Sequence, residues 1–156
     1  MTTPETEHGG IIRPKAWRLE LPPGTLLINA NQNMHWRDRS KLVKAIRQTA
    51  WAIARRDKLP ALQRAHVLYV FHPDTKGSRR RDSGNWSPSA KAAIDGMVDA
   101  GVLPDDNHIR LLGPDPRMGA PVPRSQLVLW ITDLDQMHPD HIALLNPPTT
   151  LPGAAR

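Results

Sequence analysis

Residues Arg79 to Asp106 read RRRDSGNWSPSAKAAIDGMVDAGVLPDD, and the rest of the predicted domain is organised around them. It brings a run of three arginines, a helix start and two sets of aspartates into one short segment. Arginines hold a polyanion through its phosphates, and carboxylates beside them hold a divalent cation against it. The segment therefore indicates metal-assisted chemistry on a phosphate.

The middle of this segment predicts a helix. Ser87 is expected to cap the first free amides, and Pro88 suits the first helical position. The helix is expected to run to about Ala100, with Gly101 as its C-terminal stop. Its buried side is predicted to consist of Ala90, Ile94, Met97 and Val98.

The polar face of the same helix carries Lys91, Asp95 and Asp99, spaced four residues apart. This spacing stacks the three side chains one above another. Lys91 and Asp95 have two interpretations, as a surface ion pair or as members of a site.

A second helix is predicted upstream, roughly from Arg39 to Asp57. Its apolar residues recur at helical spacing and form one stripe, and Pro60 closes the segment. The stripe consists of Leu42, Val43, Ile46, Ala50 and Ile53.

The other faces of this upstream helix are basic. Between His35 and Lys58, eight basic residues stand against only Asp38 and Asp57. A solvated surface explains such a run, and so does phosphate contact; the helix as a set favours phosphate contact. The eight are Arg37, Arg39, Lys41, Lys44, Arg47, Arg55, Arg56 and Lys58.

The remaining patterns predict strands. Trp17–Leu21 alternates with period two, and Ala65–Phe71 is a nearly continuous apolar run, which is typical of a central strand. Ile109–Leu112 and Leu127–Ile131 predict two more, and Leu26–Ile28 is a short strand or an extended approach. Two helices among about four strands predict an α+β fold, with a mostly antiparallel or mixed sheet and both helices on one face.

Loops and histidines complete the pattern. The proline-rich stretch from Gly113 to Arg124 is expected to be a loop or a hairpin connection. His66 and His72 flank the predicted central strand, and histidines in such places are usually structural or solvated.

The chain divides into an N-terminal arm (1–14), one domain (15–132) and a proline-rich acidic tail (133–156). The arm lacks the apolar segment of a signal peptide, and no apolar run is long enough for a membrane span. His138-Pro139-Asp140-His141 has metal-ligand spacing, but in such a tail it is taken to have no function.

Charge points to a polyanionic partner. The 156 residues carry a net charge of +6, and residues 1–132 hold 20 basic and 12 acidic residues, a net +8. This balance favours nucleic acid over a membrane surface as the partner. The absence of cysteine excludes disulfides, thiolate zinc sites and cysteine nucleophiles.

Three motifs, in order, resemble those of the RusA-like Holliday-junction resolvases, which are small endodeoxyribonucleases. That family carries a basic run with Asp-x-Asp-Asn, a helix with Lys-Ala-x-x-Asp, and Ala-Gly followed by a hydrophobic-led Asp-Asp. The counterparts here are Arg79–Asn85, Lys91–Asp95 and Ala100–Asp106. The specific match covers about residues 79–106, with looser agreement from about 17 to 132.

The resemblance implies a Mg²⁺-dependent endonuclease, with Mn²⁺ as an alternative metal. It implies a cytoplasmic homodimer, in a prokaryotic or phage-infected cell, that resolves four-way junctions or related branched DNA. It assigns Asp82 and Asp106 as metal ligands, and Asp105 as an alternative ligand or a support for them. Lys91 would contact the phosphate or the leaving group, and Asn85 would hold the loop. The DNA surface would comprise Lys76, Arg79, Arg80, Arg81, Arg37, Arg39, Lys41 and Lys44.

Two features depart from the family pattern. Gly84 stands where the family has its second aspartate, and Lys91 follows Asp82 by three positions more than is usual. Asp105 or Asp95 is then expected to replace the missing acid. Alternatively, the protein binds branched DNA without cutting it well.

Two further interpretations stay open at this point. One is a basic protein-interaction domain without a DNA role. The other concerns Trp36 and Trp86, which would either stack on an opened base or serve as packing anchors.

Overall fold

The computed structural model describes residues 15–76 and 82–147. The predicted arm (1–14) and the predicted DNA contacts Arg79, Arg80 and Arg81 lie outside the described residues. Lys76 is exposed and is the last described residue before the gap.

The fold is α+β, as the sequence predicts. Four strands form one mixed sheet in the order β1-β4-β2-β3, in which only the β2–β3 pair is parallel. Strand β2 is internal, as its apolar run indicates. The strands are β1 (Ala16–Glu20), β2 (Ala65–His72), β3 (Leu111–Met118) and β4 (Gln126–Asp133). The helices are α1 (Trp36–Arg56), α2 (Ser87–Asp99) and α3 (Pro139–Leu145).

One face of the sheet packs against α1 and α2. Alternate residues of the two internal strands point to this core, among them Tyr69, Phe71, Leu129 and Ile131, each at most 1% exposed. The apolar stripe of α1 and the predicted buried side of α2 form the helical side of the core, which includes Ile46, Ala50, Ile94 and Met97. Trp130 falls on the other sheet face and is 38% exposed.

Helices α1 and α2 approach each other closely at Gly96. A Cβ atom on Gly96 would overlap the main-chain oxygen of Arg47 and lie 2.9 Å from the Ala50 Cβ. Only glycine permits this approach without displacing a helix. The contact sets the polar face of α2 beside the basic side of α1.

Strand β3 corrects the prediction for the proline-rich stretch. Pro114 and Pro116, expected in a loop, belong to β3, while Ile109 precedes it and is 64% exposed. An edge strand tolerates prolines because one of its sides has no ladder partner. Gly113 adopts a φ of 102° where the β2–β3 register shifts, a conformation that glycine allows.

The segment Leu26–Ile28 belongs to no strand or helix. Its last residue, Ile28, is 1% exposed, and its main-chain groups bond to the Ser89 hydroxyl at 2.7 and 3.0 Å. This buried pair ties the segment before α1 to the first turn of α2.

Residues 133–147 of the predicted tail contain ordered elements. Asp133 ends β4, Leu134 is 6% exposed, and Arg64 forms an ion pair of 2.7 Å with Asp135. In α3 the His138 ring accepts a bond from the Asp140 amide at 3.3 Å, so His138 caps this helix. No helix in residues 15–76 and 82–147 has the length and apolar character needed to span a bilayer.

Candidate active site

Asp82 begins the candidate site by capping a short 3₁₀ helix, Ser83–Trp86, which leads directly into α2. One carboxylate oxygen of Asp82 accepts a hydrogen bond from the Gly84 amide at 2.9 Å. The expectation that Ser87 caps α2 was wrong: Ser87 is the first helical residue, and no side chain caps the helix. The preceding 3₁₀ turn takes the place where a capping residue would stand. Pro88 still lies in the first turn of α2.

The 3₁₀ turn is anchored to the sheet and to the segment before α1. The Tyr69 hydroxyl donates to the Ser83 carbonyl at 2.7 Å, and Trp86 stacks on Phe71 with ring centroids 4.1 Å apart. Asn85 accepts a side-chain bond from Asn31 at 3.2 Å and a main-chain bond from the Ala30 amide at 2.8 Å. Trp86 is therefore a packing residue in this structure.

Tyr69 lies close enough to Asp82 for the carboxylate charge to affect its pKa. Burial first, and then the negative charge of Asp82, together raise the pKa of Tyr69 to about 12. The phenol therefore stays protonated and available as a donor at neutral pH.

Lys91 joins two acids at the centre of the site. Its ammonium group lies 2.8 Å from an oxygen of Asp95, one turn further along α2, and also bonds directly to Asp106. Burial lowers the pKa of Lys91, but the hydrogen bonds that its ammonium group donates to Asp106 and Asp95 outweigh this and raise it above its ordinary value. Lys91 therefore remains a cation.

The Asp105-Asp106 turn holds its two carboxylates in different environments. The hydrogen bond from Lys91 lowers the pKa of Asp106. Asp105 instead accepts from the Asp106 amide at 2.7 Å and from the Asn107 side chain at 2.8 Å. Val102 and Leu103 are buried just before the turn and fix it against the core. Of this pair, Asp106 faces Lys91 and Asp105 stabilises the turn.

The predicted site residues are thus brought together in part. Lys91, Asp95 and Asp106 form one cluster, which we call the lysine–carboxylate cluster. Across residues 15–76 and 82–147, no three histidine, aspartate or glutamate side chains are grouped to hold a metal ion. Asp82 is therefore not part of a three-acid group with the cluster.

Two carboxylates that share one cation still fit the needs of Mg²⁺. This metal usually keeps several waters and takes one or two protein carboxylates, with phosphates completing its shell. Asp95 and Asp106 both reach the Lys91 ammonium. They are the pair that would hold Mg²⁺ if Lys91 turned towards a substrate.

A line of charges connects this cluster to α1. Asp99, two turns beyond Lys91, accepts two bonds from the Arg47 guanidinium, at 2.5 and 2.7 Å. These bonds raise the pKa of Arg47, and the charge of Asp95 raises it further. Two cations, Lys91 and Arg47, therefore flank the acids Asp95 and Asp99 along the line from the candidate site to the first helix.

The outer side of α1 carries a row of polar residues and one tryptophan, opposite its buried stripe. Successive members are three or four residues apart and so share one face about 27 Å long. Arg39 does not belong to this face: its position falls on the stripe side, and it is half-buried. The row, which we call the basic face, consists of Arg37, Lys41, Lys44, Gln48, Trp51 and Arg55.

Most cations of the basic face are available to a partner. Arg37, Lys41 and Lys44 form no ion pair with any residue in the described part of the chain. Trp36, beside Arg37 at the start of α1, is 68% exposed. A face with unneutralised cations and exposed indoles is typical of nucleic-acid binding surfaces.

Sequence reasoning missed two features of this surface. The Arg47–Asp99 pair joins residues on different helices, so no local pattern indicates it. Trp51 lies seven residues after Lys44 on the basic face, and that spacing was a usable signal.

The flanking histidines have structural partners. His66 is 8% exposed and bonds to an oxygen of Asp115 at 2.7 Å across the β2–β3 pair. The His72 ring bonds to the Ala120 carbonyl at 3.0 Å.

Comparisons with known proteins give no relative that identifies the chain. No protein-family model matches it, and no curated protein matches it. Among solved structures, it is similar to the periplasmic domain of Helicobacter pylori MotB (residues 97–256). The identity is 19%, over 85% of this chain and 93% of that one, with a TM-score of 0.36. A second MotB structure (residues 78–256) has 17% identity over 84% and 87% of the two chains, with a TM-score of 0.35.

Proposed function

We propose that this protein is a Mg²⁺-dependent endonuclease that cuts four-way junctions or related branched DNA. The observation that carries the proposal is the lysine–carboxylate cluster, in which Lys91 bonds to both Asp95 and Asp106. Two carboxylates that can hold Mg²⁺, with a lysine beside them that can donate to a phosphate oxygen, are residue types that metal-assisted cleavage of a phosphodiester uses. The order of the three RusA-like motifs supports the same assignment.

The cluster residues have distinct proposed roles. Asp106 and Asp95 would bind Mg²⁺, whereas Asp82, which is not grouped with them, would have to move towards the cluster to add a third carboxylate. The bound metal supplies charge neutralisation and an activated water. Lys91, released from the acids, would donate to a phosphate oxygen as negative charge develops there.

The basic face supplies the affinity for DNA in this proposal. Contacts to phosphates position a duplex without reading its sequence, which suits recognition of branch shape. A homodimer would present two such faces and two sites. Two-fold symmetry suits a four-way junction, because paired nicks in opposed strands leave products that can be ligated.

A second candidate function is binding of branched DNA without efficient cleavage. One observation favours it: Lys91 already neutralises Asp95 and Asp106, while Gly84 supplies no further acid. A protein with this second function would bind junctions equally well with or without Mg²⁺, and its affinity for them would fall steeply with salt.

Junction cleavage with and without Mg²⁺ separates these candidates. A nuclease nicks the four-way junction only with metal, and Asp106→Asn abolishes nicking while junction binding persists. Asp140→Asn is the matched control, because that side chain is 88% exposed on α3. Binding without nicking by the unaltered protein would support the second candidate. Equal nicking by Asp106→Asn would remove Asp106 from the mechanism.

A further inference from the structure

A groove of about 350 Å³ lies between α1 and the C-terminal end of α2. It is separate from the lysine–carboxylate cluster and shares none of its residues. We call it the Trp51 groove; its lining residues are Lys44, Arg47, Gln48, Trp51 and Asp99.

The indole of Trp51 is the feature of this groove that most needs an explanation. It is 44% exposed, and the Arg55 guanidinium lies 5.8 Å from its ring centroid. A large aromatic ring beside cations provides a stacking surface for a nucleobase, and every base has a face that can stack on it.

The charges around the indole select an anionic ligand. Lys44 precedes Trp51 by two turns and Arg55 follows it by one turn, on the same face of α1. The single acid, Asp99, accepts both of its bonds from Arg47. The groove therefore keeps a positive excess beside a flat apolar surface, which matches the base and phosphates of a nucleotide.

The position of the groove relates it to the candidate active site. Lys91 and Asp99 are eight residues apart on α2, which corresponds to about 12 Å along the helix axis. That distance equals about three to four nucleotides at the 3.4 Å axial rise per nucleotide of a duplex strand, and fewer in an extended single strand. A strand whose phosphate met Lys91 would thus reach Trp51 a few nucleotides away.

We infer that the Trp51 groove binds an unpaired base of single-stranded DNA, stacked on Trp51 with its phosphates on Lys44 and Arg55. The inference rests on the proposed function, to which it adds a substrate feature. The preferred substrate is branched DNA with an unpaired segment a few nucleotides from the cleaved bond.

Binding to fluorescently labelled oligothymidylate, followed by anisotropy, tests the inference. Trp51→Leu should weaken this binding by about 5- to 150-fold, which is the usual range for loss of one stacked base. Trp51→Phe keeps a stacking ring and should retain most of the affinity. The matched control is Trp130→Leu: Trp130 is 38% exposed and has Arg18 at 5.3 Å from its ring, but it lies on the opposite sheet face.

Each possible result of these binding experiments either supports or overturns the inference. A loss specific to Trp51→Leu, with rescue by Trp51→Phe, supports the inference. An unchanged affinity in Trp51→Leu, or an equal loss in Trp130→Leu, overturns it. A protein that binds junctions but not oligothymidylate overturns the inference and leaves the proposed function standing. A protein that binds neither DNA overturns both.

Discussion

Lys91 and Asp106, fifteen residues apart in sequence, meet in a direct ion pair between α2 and the turn that follows it. The same ammonium group also holds Asp95. The protein thus places its own cation where two carboxylates converge. The metal dependence, pH response and DNA binding expected of the chain follow from this pair and its neighbours.

Replacing Lys91 should strengthen metal binding and impair cleavage. In Lys91→Met the two acids lose their internal counter-ion, so a divalent cation meets less competition and gains a larger net attraction. Isothermal titration with Mn²⁺ should show an affinity about tenfold higher than in the unaltered protein. Lys58→Met, at an exposed position after α1, is the control. Weaker Mn²⁺ binding by Lys91→Met would contradict the proposed competition.

The Lys91–Asp106 pair also predicts how stability changes in acid. The pKa of Asp106 is lowered in the folded protein, so its contribution to stability is present above the unfolded pKa. That contribution is lost as pH falls through the lowered folded pKa. Because the pair is partly exposed, Asp106→Asn should cost only about 0.5–1 kcal/mol at pH 7.

Urea unfolding of both proteins at neutral and acidic pH checks this expectation. The difference in unfolding free energy should be present at pH 7 and should shrink as pH falls below the ordinary aspartate pKa of about 3.9 and on through the lowered pKa of folded Asp106. A difference that persists unchanged into acid would show that the pair does not stabilise the fold.

Adding a methyl group at Gly96, where α1 and α2 approach each other closely, should destabilise the protein. In an exposed helix, Gly→Ala is stabilising, but Gly96→Ala forces a methyl group against the Arg47 carbonyl. We expect a loss of about 1–3 kcal/mol in unfolding free energy. Gly84→Ala is the control, since its new Cβ would meet only the Asp82 side chain, at 3.3 Å, and a shift of a few tenths of an ångström in that side chain makes room for it. Stabilisation by Gly96→Ala would mean that the helices are further apart than described.

The basic face predicts a specific change in the salt dependence of junction binding. Each phosphate contact adds about 0.9 to the slope of log K against log[salt]. The double variant Lys41→Gln/Lys44→Gln should therefore reduce the magnitude of the slope by about 2. Lys15→Gln, located just before β1, should leave it unchanged. Equal slopes for all three proteins would place the DNA elsewhere.

Introducing an aspartate at position 84, where the RusA-like pattern has one, tests the importance of Gly84. The Gly84 backbone has no positive φ, and a Cβ there would lie 3.3 Å from an Asp82 oxygen. Gly84→Asp would set a second carboxylate beside Asp82, so Mg²⁺ should be needed at lower concentration for junction cleavage. The metal concentration at half-maximal rate measures this. An unchanged requirement would show that the loop does not face the metal.

Local sequence patterns predicted the helices and strands, whereas sheet position and the bonds between distant residues depend on tertiary structure. The stripe through Ile46 and Ile53 identified the buried side of α1, because helical spacing depends on sequence alone. The same rules failed at Pro114, since an edge position in a sheet is a property of the whole fold. Asp106 was named from its motif, whereas its bond to Lys91 depends on how the turn after α2 folds back.

Locating the bound cation is the most direct test of the proposal that Asp106 and its neighbours hold a metal. A crystal grown or soaked with Mn²⁺ and measured for anomalous scattering would locate the cation without reference to activity. We expect an anomalous peak at about 2.1 Å from an Asp106 oxygen, shared with Asp95 or Asp82, and Lys91 turned away from Asp106. Junction cleavage that depends on Mn²⁺, together with a Mn²⁺ peak remote from Asp106 and an intact Lys91–Asp106 bond, would contradict it.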